Sequence, residues 1–269
     1  MFLYRFFDYK GNIPNFSSDL FSLNHIIYII LVLLIAPIVC ILLRNVSHKK
    51  LDIYFKVLSI FMIVFEITKI TWESYYDIKT GQGFNYGGLL PLYTCSLFIY
   101  TLFCASWFKG KVRDYSLSFI TTIDLASGII GVIYCNGLNY YPFWTFGAFY
   151  SLIFHSTMFI TGLLMLITRY KKLQTEDIFY GWIPIVILSV ISIPVNYAFH
   201  SDYMQIHEGS SVPLLENLGK VMISNNLRPI FIMIMISSYL ILSSVVTGIY
   251  LIIQRLINNK NKEQIQPND

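Results

Sequence analysis

Charge is what this chain has least of. Only 13% of its 269 residues are Asp, Glu, Lys or Arg, while 55% are hydrophobic and the mean hydropathy is +0.60. So few charges cannot cover a water-facing body of this size, which excludes an ordinary soluble domain. A second absence narrows the class. No alternation of apolar and polar residues over segments of about ten recurs, so a transmembrane barrel is excluded and helices remain. The glycines form neither a dinucleotide fingerprint nor a phosphate-binding loop, and no HExxH or CxxC spacing marks a metal, so no cofactor is expected. There is no internal repeat and no low-complexity linker, and the net charge of +4 is too modest to suggest nucleic acid as a partner.

What the chain does have is apolar length. A helix needs roughly 20 apolar residues to cross about 30 Å of hydrocarbon, because lipid leaves backbone polar groups unpaired and a helix pairs its own. Seven such runs lie near residues 25–43, 51–73, 89–108, 115–135, 143–168, 180–200 and 229–253. They predict an all-α, polytopic integral membrane bundle of seven transmembrane helices in one domain, 25–253. Lys and Arg are split unevenly between the connections. Twelve fall at one set of ends (Arg44, Lys49 and Lys50; Lys109, Lys111 and Arg113; Arg169, Lys171 and Lys172; Arg255, Lys260 and Lys262), five fall at the other, and Lys56 and Lys69 lie within spans. The basic set faces the cytoplasm, so the N-terminus is expected outside and the C-terminus inside. Residues 1–24 are too aromatic and too mixed in charge for a signal peptide and read as an external interfacial segment. Residues 254–269 read as a polar cytoplasmic tail.

An ionisable group in mid-bilayer needs a partner, a cavity or a function. Span two holds Glu66, Lys69 and Glu73 on one helix face, with Asp77 continuing the stripe. Span three holds Cys95, span four Asp124, span five His155, and span six Asn196 and His200. At about 1.5 Å per residue, Cys95, Glu66, Asn196 and His155 fall in one layer in the outer half of the membrane. In "GGLLPLYTC" Pro91 fits the first turn of span three and Cys95 the second, where the helix N-terminus gives a thiolate partial support. His155 is the candidate base, with Asn196 or Glu66 to hold its ring as a third group does in Cys-His-Asn sites.

Each residue also has a plainer reading. A membrane cysteine is commonly a packing residue, and Cys135 could pair with Cys95 as a disulfide. The Glu-Lys-Glu group could be a self-neutralising triplet, and His155, Asn196 and Asp124 interhelical contacts. A metal held by Cys95, His155 and His200 lacks any supporting spacing. With Pro184 and Pro194 in span six, a small-molecule or proton-coupled transporter is an open alternative, as is an assembly subunit without chemistry.

Four stretches carry a resemblance: the charged second span ending in Trp72, "LPLYTC" opening span three, "FH" at Phe154 and His155, and "PVNYAF" closing span six. Over residues 50–225 the chain resembles the transmembrane protein 164 family, in particular its bacterial YwaF-like branch. The resemblance implies a membrane acyltransferase that moves a fatty acyl chain from a phospholipid to a lysophospholipid, with Cys95 as nucleophile and His155 as base. Its partners would be membrane phospholipids and lysophospholipids, its location a bacterial cell membrane with many passes, and water in place of the acceptor would make it a phospholipase-type hydrolase. Tyr93 stands where the bacterial branch often has His, leaving the neighbour of the cysteine less polar. Lys69, Tyr93 and Arg228 are the expected contacts to substrate, and Asn196, Glu66, Asp124 and His200 the supporting groups.

Overall fold

The computed structural model describes residues 6–9, 16–81, 83–209 and 213–263, with backbone alone at 213–215 and 257–263. Helices make up the fold, and the described residues contain no strand. In order they are α1 (Leu23–Leu42), α2 (His48–Lys79), α3 (Leu97–Trp107, entered through a 3-10 turn at Thr94–Ser96), α4 (Lys111–Phe119), α5 (Leu125–Ile133), α6 (Phe146–Ile167), the single turn α7 (Asp177–Tyr180), α8 (Trp182–Phe199), α9 (Pro213–Ser224) and α10 (Arg228–Glu263). The last six residues of the expected tail lie outside the described residues, and the backbone of α10 stays helical to Glu263.

Among the described residues, five helical stretches are long and apolar enough to cross a bilayer: Leu23–Leu42, Lys111–Asn139, Phe146–Ile167, Asp177–Phe199 and Arg228–Leu256. The other two expected spans fall on α2, which is 32 residues long but charged, and on Thr94–Trp107, which is apolar but short. The fold is a multi-helix membrane bundle, with α6 at its centre and α5 packed closely along it. Glycine makes that packing close: a β-carbon at Gly128 would stand 2.5 Å from the Phe159 nitrogen. On the other side of the bundle, α10 packs against α8 and α9 around Phe231, Ile185 and Leu188.

Span three differs from the sequence expectation. The helix begins at Thr94 rather than near 89, with Tyr93 extended before it, so Pro91 precedes the helix instead of opening it. Residues before a proline are biased away from helical backbone, and here other bonds hold the irregular stretch. The Leu90 N–H donates to the Tyr203 hydroxyl (2.9 Å), which in turn donates to the Tyr86 carbonyl (2.7 Å). Cys95 therefore sits in the first helical turn, not the second. Span four also differs, since α4 and α5 are joined by a π-helical turn, Ile120–Asp124. Such turns add a residue to the helix and recur at functional sites.

Three of the basic connections gather at one end of the molecule. Arg113 donates to the Tyr170 hydroxyl (2.7 Å) and to Asp52 Oδ1 (3.4 Å), Tyr170 itself hydrogen-bonds Asp52, and His48 Nε2 meets the Thr168 carbonyl (3.3 Å). Those bonds tie the α1–α2, α3–α4 and α6–α7 connections together. At the other end the described part of the N-terminal segment is pinned down. The Trp72 indole donates to the Phe7 carbonyl (3.1 Å), the buried Tyr9 hydroxyl donates to Asp77 (2.5 Å), and the Phe143 N–H donates to Asp19 (2.7 Å).

Candidate functional site

Cys95 is the second residue of its helix, in the first turn, where backbone N–H groups have no partner within the helix. The thiol lies within electrostatic reach of Asp124 and of the Tyr150 and Tyr239 hydroxyls. All four cysteines are free, so the disulfide alternative drops away, and Cys135 donates instead to the Ser151 hydroxyl (3.2 Å). The Leu92 N–H, three residues before Cys95, donates to the Leu90 carbonyl (2.8 Å).

His155 lies on α6, and its orientation is set from two sides. Its Nδ1 contacts the Ser151 carbonyl at 2.7 Å. A carbonyl only accepts, so the neutral ring carries its proton on Nδ1 and presents a bare lone pair at Nε2. The ring rests flat against Gly131 of α5, where a β-carbon would stand 2.0 Å from Cδ2. Among the described residues Nε2 makes no hydrogen bond. The group that fixes the ring is thus a backbone carbonyl one turn back, and neither Asn196 nor Glu66 does so.

Asn196 is fully buried and serves a loop. Its Oδ1 accepts from the Tyr203 N–H (2.8 Å) and the Ser201 hydroxyl (3.0 Å), and its Nδ2 donates to the Tyr203 carbonyl (2.9 Å). His200, expected as a supporting group, caps α8 in the left-handed conformation at φ 49° and is exposed. The two residues sit one turn apart but build the 200–207 turn over the helix ends.

The α2 stripe forms as expected and acquires partners that the sequence reading did not include. Each carboxylate receives a tyrosine hydroxyl from a different segment: Tyr150 of α6 on Glu66, Tyr141 on Glu73 (3.2 Å), and Tyr9 on Asp77 (2.5 Å). Lys69 Nζ stands between Glu73 (3.2 Å) and Glu66 (4.0 Å), over the Tyr150 ring. Its charge is spent on two acids, so Lys69 does not present the free cation expected of a phosphate contact. Tyr93 is partly exposed, edge-on to Tyr203, and within electrostatic reach of Lys69.

Asp124 closes the π turn, 1% exposed, taking one hydrogen bond from Thr101 (3.4 Å), with its Oδ1 unpartnered among the described residues. Arg228 begins α10 at the end opposite the basic connections. Its guanidinium lies over the Tyr197 ring (5.8 Å), with Nε unpartnered among the described residues. Burial, with Arg228 beside it, holds the His207 imidazole below its ordinary range. Among the described residues no three of His, Cys, Asp and Glu converge as a metal site. The residue the sequence reading missed is Tyr150. Its one signal was position: it lies one turn before Phe154, on the α6 face that meets the α2 stripe.

A family model described as the TMEM164 family matches residues 20–247. No curated protein and no solved structure matches the chain.

Proposed function

The chain belongs to the TMEM164 family, and from that premise we propose that it is a membrane acyltransferase of the YwaF-like branch. It takes a fatty acyl chain from a phospholipid onto Cys95 and passes it to a lysophospholipid. The observation that carries this reading is the placement of Cys95 in the first turn of a helix that starts inside the protein, with a tyrosine and a buried carboxyl within electrostatic reach of its thiol. A packing cysteine needs none of these.

The chemistry balances over two half-reactions. We assign His155 Nε2, which makes no hydrogen bond to Cys95 in the described residues, to take the thiol proton once substrate is bound, and Sγ attacks the ester carbonyl, with the Cys95 N–H as oxyanion donor. The S–C bond forms, the glycerol C–O bond breaks, and the proton passes from His155 to the departing lysolipid oxygen. The acceptor then runs the steps backwards: its hydroxyl gives a proton to His155, its oxygen attacks the thioester, and sulfur leaves and regains a proton. Water as acceptor gives a hydrolase from the same site. Arg228, with an unpartnered Nε at the far end of the molecule from the basic connections, is the cation we assign to the lipid phosphate. The transporter alternative is less well supported, because hydroxyls and a lysine close the α2 carboxylates off rather than lining a passage with them.

The proposed topology has seven crossings, N-terminus outside and C-terminus cytoplasmic. Support for α2 as a span comes from Ile53, Val57, Ile60, Val64 and Ile67, all exposed and spaced three or four apart, an outward apolar stripe that only lipid would cover. For span three, the 14 residues of Thr94–Trp107 reach about 21 Å of the roughly 30 Å needed. The irregular 84–93 stretch makes up the rest, tolerated at depth because protein groups pair its backbone. Incubating the purified protein with a phospholipid deuterated in one acyl chain and an unlabelled lysophospholipid tests the function. Deuterated acyl chains are expected in the acceptor, with none from Cys95→Ala or His155→Asn; equal exchange by those variants contradicts the reading.

A further inference from the structure

The stretch that leads into Cys95 has neither helix nor strand to hold it, and Pro91 removes one of its backbone donors. The 200–207 turn supplies the missing partners from far along the chain. Fully buried Tyr203 accepts the Leu90 N–H on its hydroxyl (2.9 Å) and donates to the Tyr86 carbonyl (2.7 Å), while its ring stands edge-on to Tyr93. The next residue, Met204, is equally buried, and its Sδ accepts from the Thr94 hydroxyl (3.5 Å). These contacts fall on both sides of Pro91 and end one residue short of Cys95.

The turn is itself held from several sides. Asn196 binds the Tyr203 backbone at both its N–H (2.8 Å) and its carbonyl (2.9 Å). Asp202 Oδ1 accepts from the N–H groups of His207 (2.8 Å) and Glu208 (2.9 Å), and the Tyr239 hydroxyl of α10 donates to the Met204 carbonyl (2.7 Å). Met204 and Gln205 lie in the left-handed region, at φ 59° and 53°. Side chains crowd the backbone there, and two in succession persist only where the surroundings over-determine them. Glycine would make the same turn without that strain, but it would present nothing to Thr94.

We propose that Tyr203 and Met204 are positioning residues for Cys95, the 200–207 turn being a strap that fixes where the first turn of its helix stands. The proposal rests on the acyl-transfer reading and adds to it the residues that place the nucleophile. Both side chains act through residues 86–94 and neither needs to touch the reacting atoms. Asn196, which does not hold the His155 ring, serves the other half of the site by holding the strap. A shift of about 1 Å in a reacting group can cost about 10²-fold in rate, so loosening the strap is expected to show in the chemical step.

The test uses the full-length protein in nanodiscs. Tyr203→Phe deletes both hydroxyl bonds and keeps the ring, and Met204→Leu and Thr94→Val each delete the bond between those two residues. Tyr170→Phe, which deletes hydroxyl bonds to Arg113 and Asp52 at the basic end, is the matched control. One readout is acyl transfer to a lysophospholipid. The other is alkylation of Cys95 relative to Cys104 by a lipid-soluble maleimide, which needs no activity. Tyr203→Phe is expected to lower kcat about 10²-fold with KM unchanged, and to speed alkylation of Cys95 about tenfold while Cys104, in the same helix, keeps its rate. Met204→Leu and Thr94→Val should each lower kcat about fivefold and together no further. Tyr170→Phe should leave both readouts at wild type. Unchanged Cys95 alkylation in Tyr203→Phe, an equal rise at Cys104, or additive losses from the Met204 and Thr94 variants overturn the strap. The failures separate: the alkylation shift without transfer by the wild type removes the chemistry and leaves the strap, while wild-type transfer that Tyr203→Phe retains in full does the reverse.

Discussion

Two interior histidines show what separates a structural imidazole from a candidate base. His25 uses both nitrogens, Nδ1 accepting from the Phe21 N–H (3.0 Å) and Nε2 meeting the Val132 carbonyl (3.0 Å). His155 uses one, on Ser151. The amino-acid sequence cannot distinguish them, because each lies in an apolar run and the difference is made by residues about a turn away and on other helices. Gly131 is the clearest case, a small residue of unremarked context whose missing side chain makes room for the His155 ring. Gly131→Ala should therefore swing the ring and slow formation of the acyl adduct by about 10²-fold. Gly248→Ala, where a β-carbon meets open space, should leave that rate unchanged. Tyr150→Phe removes a hydroxyl from the buried Glu66 carboxylate, and a loss of about 1.5–3 kcal/mol in a denaturation assay is expected. No measurable loss would mean that Tyr150 and Glu66 do not depend on each other.

Among the elements, α2 carried the most readable signal, because spacing of three and four residues places Glu66, Lys69 and Glu73 on one face whatever surrounds them. Their partners were not readable, since Tyr9, Tyr141 and Tyr150 arrive from distant segments and folding alone brings them in. Lys69→Met strands the buried Glu66 and the half-buried Glu73 and should cost about 3 kcal/mol, whereas neutralising Glu66, Lys69 and Glu73 together should cost far less. Equal losses in the two variants would show that the triplet is not coupled. The start of α3 was misjudged from Pro91 because the bonds from Tyr203 that hold residues 86–90 out of helix come from a loop more than a hundred residues later. That loop also contains the acid-sensitive element. The folded protein holds His207 below the unfolded imidazole pKa of about 6.5, so it favours the neutral ring. Its stability contribution is full above that pH and is lost as pH falls through the folded value. Thermal melts should drop on acidification below about pH 6.5, and the drop should shrink in His207→Gln.

At the scale of the whole molecule, composition fixed the class and the Lys and Arg pattern fixed which connections lie together. Arg113, Asp52 and Tyr170 join three of the basic connections at one end. Span count was less legible than span class. Hydropathy alone measures neither the exposed apolar stripe on a charged α2 nor the irregular backbone ahead of a short α3, on which the proposed seven crossings rest. A fluorescent protein fused after Asp269 should light in the cytoplasm if the proposed orientation holds, and dark fusions with intact expression contradict it. The most direct measurement is intact mass after incubation with mixed phospholipids, with Cys95→Ala alongside. Wild type is expected to gain the mass of one fatty acyl group that hydroxylamine removes, and the variant to gain nothing. An unmodified wild type whose Cys95 also fails to react with thiol probes, or an adduct that survives in Cys95→Ala, would contradict a thioester at this site.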